Sequence, residues 1–152
     1  MESTFDLART SRNTLEKFLN KYSLEQLNKI PEGFNNNLIW NIGHIVVVQQ
    51  MLIYRLSGLP MLVTPEMVNS YKRDTKPEGD VSQEEVDAIK ALLHLPIDKA
   101  QEDLKNGLFQ NYTEFTTLTG YTIRNAKDAI MFNNFHEAIH TGVMMGIRKF
   151  VL

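Results

Sequence analysis

Cysteine is absent from the 152 residues of the sequence. Its absence excludes disulfides, thiolate catalysis by the protein itself and zinc sites built from thiolates. A metal ion would therefore need His, Asp, Glu or Asn as ligands. Hydrophobic residues make up 43% of the chain and charged residues 22%, as is typical of a globular protein of ordinary composition. At this length, one domain over residues 1–152 is predicted.

A strong excess of charge of either sign is also missing. The formal net charge is -2 and the isoelectric point about 6.1. Without a basic surface, neither nucleic acid nor an anionic membrane is expected as a partner. The longest apolar stretch, residues 38–56, is interrupted by five polar side chains and is not expected to span a membrane. The N-terminus lacks the pattern of a signal peptide, so a cytoplasmic location is predicted.

What the sequence does contain is helical periodicity in four long segments. Apolar residues in helical patterns cover residues 4–22, 38–57, 82–104 and 126–150. Arg12 interrupts the apolar stripe of the first segment. Strand-forming patterns are too few for an α/β fold. The sequence therefore predicts an all-α antiparallel four-helix bundle.

The second segment, the third segment and the connections between the segments have further features that indicate local structure. The second segment is apolar on nearly all sides, which indicates either a central helix or one shared in a homodimer. A long connection over residues 59–81 is expected to cover a site, with a helical turn near residues 66–70. Pro96 is expected to kink the third helix without dividing it. Residues 109–123 indicate an extended loop or small hairpin.

Two of the four histidines, His136 and His140, are spaced four residues apart in the last segment. This spacing places both imidazoles on one face of a helix, close enough to share a metal ion. A buried and unpartnered pair of histidines would be unfavourable, and a metal ion satisfies both. An apolar stripe is expected to turn the pair towards the interior; its members are Phe132, Phe135, Ile139, Val143 and Ile147.

His44 is the candidate third ligand. It lies in the middle of the apolar second helix, and Gly43 before it leaves room for another group to approach closely. The alternative is a core histidine bonded to a carbonyl or to an Asn side chain. His94, next to Pro96, is assigned to structure or to the surface.

Other polar side chains near these histidines have two interpretations each. Glu137 is the candidate catalytic base because it directly follows a ligand, but a solvated surface carboxylate is the favoured interpretation. Asn41 and Asn133 each lie one turn before a histidine and could orient its ring, or form only a polar face. Trp40 is assigned to the core in preference to a substrate-binding wall.

Residues 136–140 also match the H-E-x-x-H pattern of zinc peptidases. Such enzymes normally take a third ligand downstream, and no His, Asp or Glu follows His140 in this sequence. The strands that would align a peptide are missing as well. Proteolysis of this type is not expected.

Three short motifs together resemble the DinB-like (damage-inducible) superfamily. They are Asn37-Leu38-Ile39-Trp40-Asn41-Ile42-Gly43-His44, Tyr54-Arg55-Leu56-Ser57-Gly58 and Phe135-His136-Glu137-Ala138-Ile139-His140-Thr141-Gly142. The resemblance covers essentially the whole chain and implies a four-helix bundle holding a metal ion. The implied ligands are one His from the second helix and a pair from the fourth, which match His44, His136 and His140.

The resemblance implies a metal site more specifically than it implies a reaction. Members of this family include thiol S-transferases that use low-molecular-weight thiols, a thiol-dependent isomerase, and metal-dependent hydrolases without an assigned substrate. The first hypothesis is thus an enzyme whose divalent ion activates water or a low-molecular-weight thiol against a small molecule. Zinc is the first candidate, with nickel, manganese or iron as alternatives. The second hypothesis is a non-catalytic, metal-stabilised bundle that binds a ligand or a partner.

Overall fold

A computed structural model describes all residues from Met1 to Leu152. Helix accounts for 62% of the chain and strand for only 3%, which confirms the all-α class. In chain order the elements are α1 (Glu2–Lys21), α2 (Leu24–Asn28), α3 (Leu38–Gln50) continued by a π-helical turn (Met51–Arg55), α4 (Pro65–Tyr71), α5 (Gln83–Ala91), α6 (Leu95–Lys105), β1 (Phe115–Thr116), β2 (Thr122–Ile123) and α7 (Ala126–Ile147).

Four rods form the bundle: α1, α3 with its continuation, α5 together with α6, and α7. Helix α7 packs against α1 and α3, and α5 and α6 complete the packing around α1 and α3. Every residue of α3 except Val48 is buried within a single copy of the chain. Helix α3 is therefore central, and its apolar surface gives no argument for a homodimer.

The four predicted segments begin within two residues of the starts that the sequence predicts. Asn37 accepts a hydrogen bond from the backbone N–H of Trp40 and starts α3, and Asn125 does the same for Asp128 at the start of α7. Ser23 and Gln26 form the reciprocal capping box of α2. These side chains satisfy backbone donors that the first helical turn would otherwise leave free.

The third rod is two helices, so the prediction of one kinked helix is wrong. Helix α5 ends at Ala91, a turn follows, and α6 begins at Leu95 with Pro96 in its first turn. Proline has no N–H to lose in the first turn of a helix, so it starts a new helix here more readily than it kinks an existing one.

The end of α3 contains a feature that the sequence did not indicate. Between Met51 and Arg55 the helix widens into a single π-helical turn, closed by the bond from the N–H of Leu56 to the carbonyl of Met51. Within this turn the buried Tyr54 donates a hydrogen bond of 2.6 Å to Asp103 in α6. The turn thus ties α3 to α6 by a buried polar contact.

The connections have the predicted types. Helix α4 lies in the connection after α3, capped by Thr64, and β1 and β2 pair as an antiparallel hairpin. No helix is both long and apolar enough to cross a bilayer.

Candidate metal centre

His44, His136 and His140 converge between α3 and α7. One ligand nitrogen from each ring lies within 4.8 Å of the other two, and the Nε2 atoms of His44 and His136 are 3.2 Å apart. Two nitrogens bound tetrahedrally to zinc at about 2.0–2.1 Å would be separated by about 3.3 Å. The observed spacing therefore fits a single ion held by this group.

Hydrogen bonds fix the tautomers of two of the rings. Nδ1 of His44 lies 2.6 Å from the carbonyl oxygen of Tyr71, which can only accept, so Nδ1 is the donor. Nδ1 of His140 lies 2.8 Å from Oδ1 of Asn41, whose amide group donates to Asn37 and Asn36. In both rings Nε2 therefore carries no proton and has a free lone pair, and this is the form of a histidine that binds a metal ion.

His136 completes the group with a different environment. Its Nδ1 is buried and has no hydrogen-bonding partner. Burial, followed by the positive charges that His140 and His44 would carry and by Arg12, lowers the pKa of His136 to about 3. Three rings that resist protonation, two of which present the lone pair of Nε2 to the group, are compatible with binding a cation.

The same forces act on the other two rings. Burial, then the neighbouring His44, lowers the pKa of His140 to about 4. Burial also lowers the pKa of His44, although the hydrogen bond to Tyr71 opposes the shift. All three imidazoles are therefore neutral at pH 7.

Around His44 the structure answers two sequence hypotheses. Trp40 belongs to the main hydrophobic core, as predicted, and its ring also stacks on His44 with centroids 4.7 Å apart. Gly43 does leave room for a neighbour: a Cβ at this position would lie 2.6 Å from the ring of Tyr71. Because the ring of Tyr71 packs closely against Gly43, the backbone carbonyl of Tyr71 reaches His44. The sequence does not indicate this hydrogen-bonding partner.

Two further expectations have mixed outcomes. Asn41 does orient a histidine, but that histidine is His140 on the facing helix and not His44. Asn133 donates to Glu137 instead of contacting His136. His94 lies apart from the group, half-exposed and 3.6 Å from Glu16, in agreement with its assignment to structure or surface.

Glu137 is fully buried and paired with the fully buried Arg12, with 2.7 Å between Oε1 and Nη2. The alternative of a solvated carboxylate is wrong. Catalysis by Glu137 stays a prediction, which this pairing disfavours because the carboxylate is already bound. The sequence signal for the pair was the interruption of the α1 stripe by Arg12.

The expected inward stripe of α7 is also partly wrong. Phe135 and Ile139 are 53% and 47% exposed, whereas Ile147 is buried. The polar Asn133 and Glu137 are buried instead. Ser11 and Arg12 of α1 donate to Glu137, and Asn133 donates to the same carboxylate from within α7. The two histidines lie at the edge of the buried face, next to this exposed apolar surface.

Comparisons with known proteins agree with this geometry. Residues 7–144 match the sequence model of the DinB superfamily. A crystal structure described as the conserved protein of locus from Enterococcus faecalis is similar to this chain, with a TM-score of 0.60 and 13% identity. The similarity covers 99% of this chain and 95% of that one, and at this identity it supports the fold alone. A search of curated proteins finds no match.

Proposed function

Because the chain belongs to the DinB superfamily and brings three neutral imidazoles together, we propose that it is a metal-dependent enzyme acting on a small molecule. The proposed ligands of a single divalent ion are His44, His136 and His140. Zinc is the first candidate, and nickel, manganese and iron are the alternatives, because imidazole suits all four.

The observation that carries the proposal is the composition of the group. It has three members, and no carboxylate joins them. Structural zinc sites usually have four protein ligands, whereas catalytic sites have three and leave a position for water or substrate. The group therefore favours an enzyme over a bundle that a metal ion only stabilises.

The chemistry that a bound divalent ion supplies is a lowered pKa of a coordinated water or thiol, which yields a nucleophile at neutral pH. The chain's own residues prepare the site for this role. Tyr71 and Asn41 hold two rings in the tautomer that presents Nε2. Trp40 covers one face of His44 and excludes water from it. We propose a hydrolase or a thiol S-transferase, the latter with a low-molecular-weight thiol as cosubstrate.

Metal analysis of untagged protein tests the site. We expect one divalent ion per chain in the wild type and in His94→Ala, which lies outside the group. We expect loss of that ion in His44→Ala, His136→Ala and His140→Ala, because each removes one of three ligands. Full retention of metal by folded His44→Ala protein would contradict the proposed ligand set.

Activity assays separate the two reactions. Protein loaded with zinc is to be assayed for conjugation of low-molecular-weight thiols to electrophiles and for hydrolysis of small esters and amides. A transferase would require the thiol, whereas a hydrolase would turn over without it. Absence of both activities in fully loaded protein would favour the non-catalytic alternative.

A homodimer and a cytoplasmic location are separate proposals. The support for a dimer is now the exposed apolar side chains on α7, such as Met131 and Phe135, since α3 is covered. Sedimentation equilibrium measures the mass directly, and a mass of one chain at all concentrations would contradict the dimer.

A further inference from the structure

An ion pair lies in the middle of the bundle, directly next to the candidate metal centre. Arg12 of α1 and Glu137 of α7 both have no exposed surface, and Glu137 directly follows the candidate ligand His136. Buried charges are tolerated only where partners compensate them, and replacing such pairs by uncharged groups is often neutral for stability. A charged pair at this position therefore invites an explanation other than stability.

Hydrogen bonds saturate the carboxylate. It accepts from Arg12, from Ser11 at 2.8 Å and from Asn133 at 2.7 Å. The guanidinium of Arg12 also donates to the carbonyl of Leu93, in the turn between α5 and α6. The pair thus joins α1, α7 and that turn at the level of His136.

The guanidinium has an electrostatic effect on the ligand as well. The buried guanidinium of Arg12 is paired at 2.7 Å with the carboxylate of the residue that directly follows His136. An uncompensated guanidinium in this water-excluded position would repel a divalent cation held by His136. Arg12 can therefore connect the helices at this site only if a negative charge compensates it.

We infer that Glu137 is a positioning residue that neutralises Arg12, so that the guanidinium fixes α7 against α1 without repelling the divalent ion at His136. This inference rests on the proposed metal site. It assigns Glu137 a role through Arg12, in place of proton transfer to a substrate.

Three variants test the inference by the sign of their effects. Glu137→Gln removes the carboxylate and leaves the positive charge of Arg12 uncompensated, so the Kd of this variant for zinc should rise about tenfold or more. Arg12→Gln removes the guanidinium and leaves the negative charge of Glu137 uncompensated, so the Kd of this variant for zinc should stay unchanged or fall. The double variant is neutral again, and its Kd should return to within about threefold of the wild-type value. The measurement is competition with a chromophoric zinc chelator, using metal-free protein whose fold is verified by circular dichroism.

A purely structural role predicts a different pattern, in which both single variants weaken zinc binding and the double variant is no better. That pattern would overturn the inference. If Glu137→Gln does not fold, Arg12→Gln and the double variant still test the inference. Weaker zinc binding by Arg12→Gln than by the wild type would overturn the inference. Wild-type protein that binds none of zinc, nickel, manganese and iron would instead overturn the proposed function and, with it, this role of Glu137.

Discussion

At the scale of single residues, Asn41 connects the two helices that carry the candidate ligands. Its Oδ1 accepts from Nδ1 of His140, and its amide is held by Asn36 and Asn37. Asn41→Leu removes the acceptor, so we expect the Kd for zinc to rise about 10- to 100-fold. Asn36→Ala is the matched control, because it removes one restraint on Asn41 and keeps the acceptor. Unchanged affinity in Asn41→Leu would show that the contact does not orient the ring.

The lowered pKa values of the candidate ligands predict how the metal-free protein responds to acid. An imidazole that titrates near 6.5 when unfolded but near 3 to 4 when folded binds its proton more readily in the unfolded state. The contribution of these two rings to stability is therefore constant above about pH 7 and falls as the pH drops from 6.5 towards 4. Between pH 7 and 5 we expect a loss of about 2 kcal/mol for each of His136 and His140.

Urea unfolding at pH 7 and pH 5 in the presence of a chelator measures this loss of stability. Most carboxylates titrate below pH 5, so they contribute little to the difference. The control is the double variant His136→Phe/His140→Phe, which should keep most of its stability between pH 7 and 5. Equal acid sensitivity in the variant and the wild type would assign the effect to other groups.

The residues of the site differ in how far the sequence revealed them. The three histidines were predictable because their types and spacing restrict the chemistry. The contact of Asn41 with His140 depends on how α3 and α7 lie against each other, which local sequence does not encode. The carbonyl of Tyr71 is a backbone group and has no signature in the sequence. Burial of Glu137 required knowing that Arg12 faces it.

At the scale of the elements, two helical glycines give a matched comparison. Gly43 lies beneath the ring of Tyr71, whereas nothing lies within 4 Å of a Cβ placed at Gly142. Gly43→Ala should displace α4 and lower stability by about 1–3 kcal/mol. Gly142→Ala should raise stability by about 0.5–1 kcal/mol, because alanine is the better helix former.

Urea unfolding of both variants measures the two shifts. Gly43→Ala should also weaken zinc binding, because displacement of Tyr71 withdraws its carbonyl from His44. A Gly43→Ala protein as stable as Gly142→Ala would contradict the close packing of the Tyr71 ring against Gly43 of α3.

Helix starts were predictable because capping is local: Asn37, Ser82 and Asn125 each accept from a backbone N–H three residues ahead. The division between α5 and α6 had a local signal in Pro96, which was interpreted as a kink although proline also suits the first turn of a new helix. The π-helical turn had no local signal in the sequence. The exposed Phe135 and Ile139 show that apolar periodicity alone did not identify the buried face of α7.

At the scale of the whole molecule, a metal ion that binds only the folded chain must stabilise it. At free zinc 100 times Kd, the expected gain is about 2.7 kcal/mol, or roughly 5–10 °C in Tm for a chain of this size. Differential scanning calorimetry with zinc and with a chelator measures the difference. His136→Ala should show no shift, and an equal shift there would indicate binding elsewhere.

His44 precedes His136 in the chain by 92 residues. His44 is therefore synthesised well before the other two candidate ligands. An ion held by all three rings can bind only after α7 has left the ribosome and packed against α3. A chain interrupted between these two helices would carry His44 without the pair that completes the group.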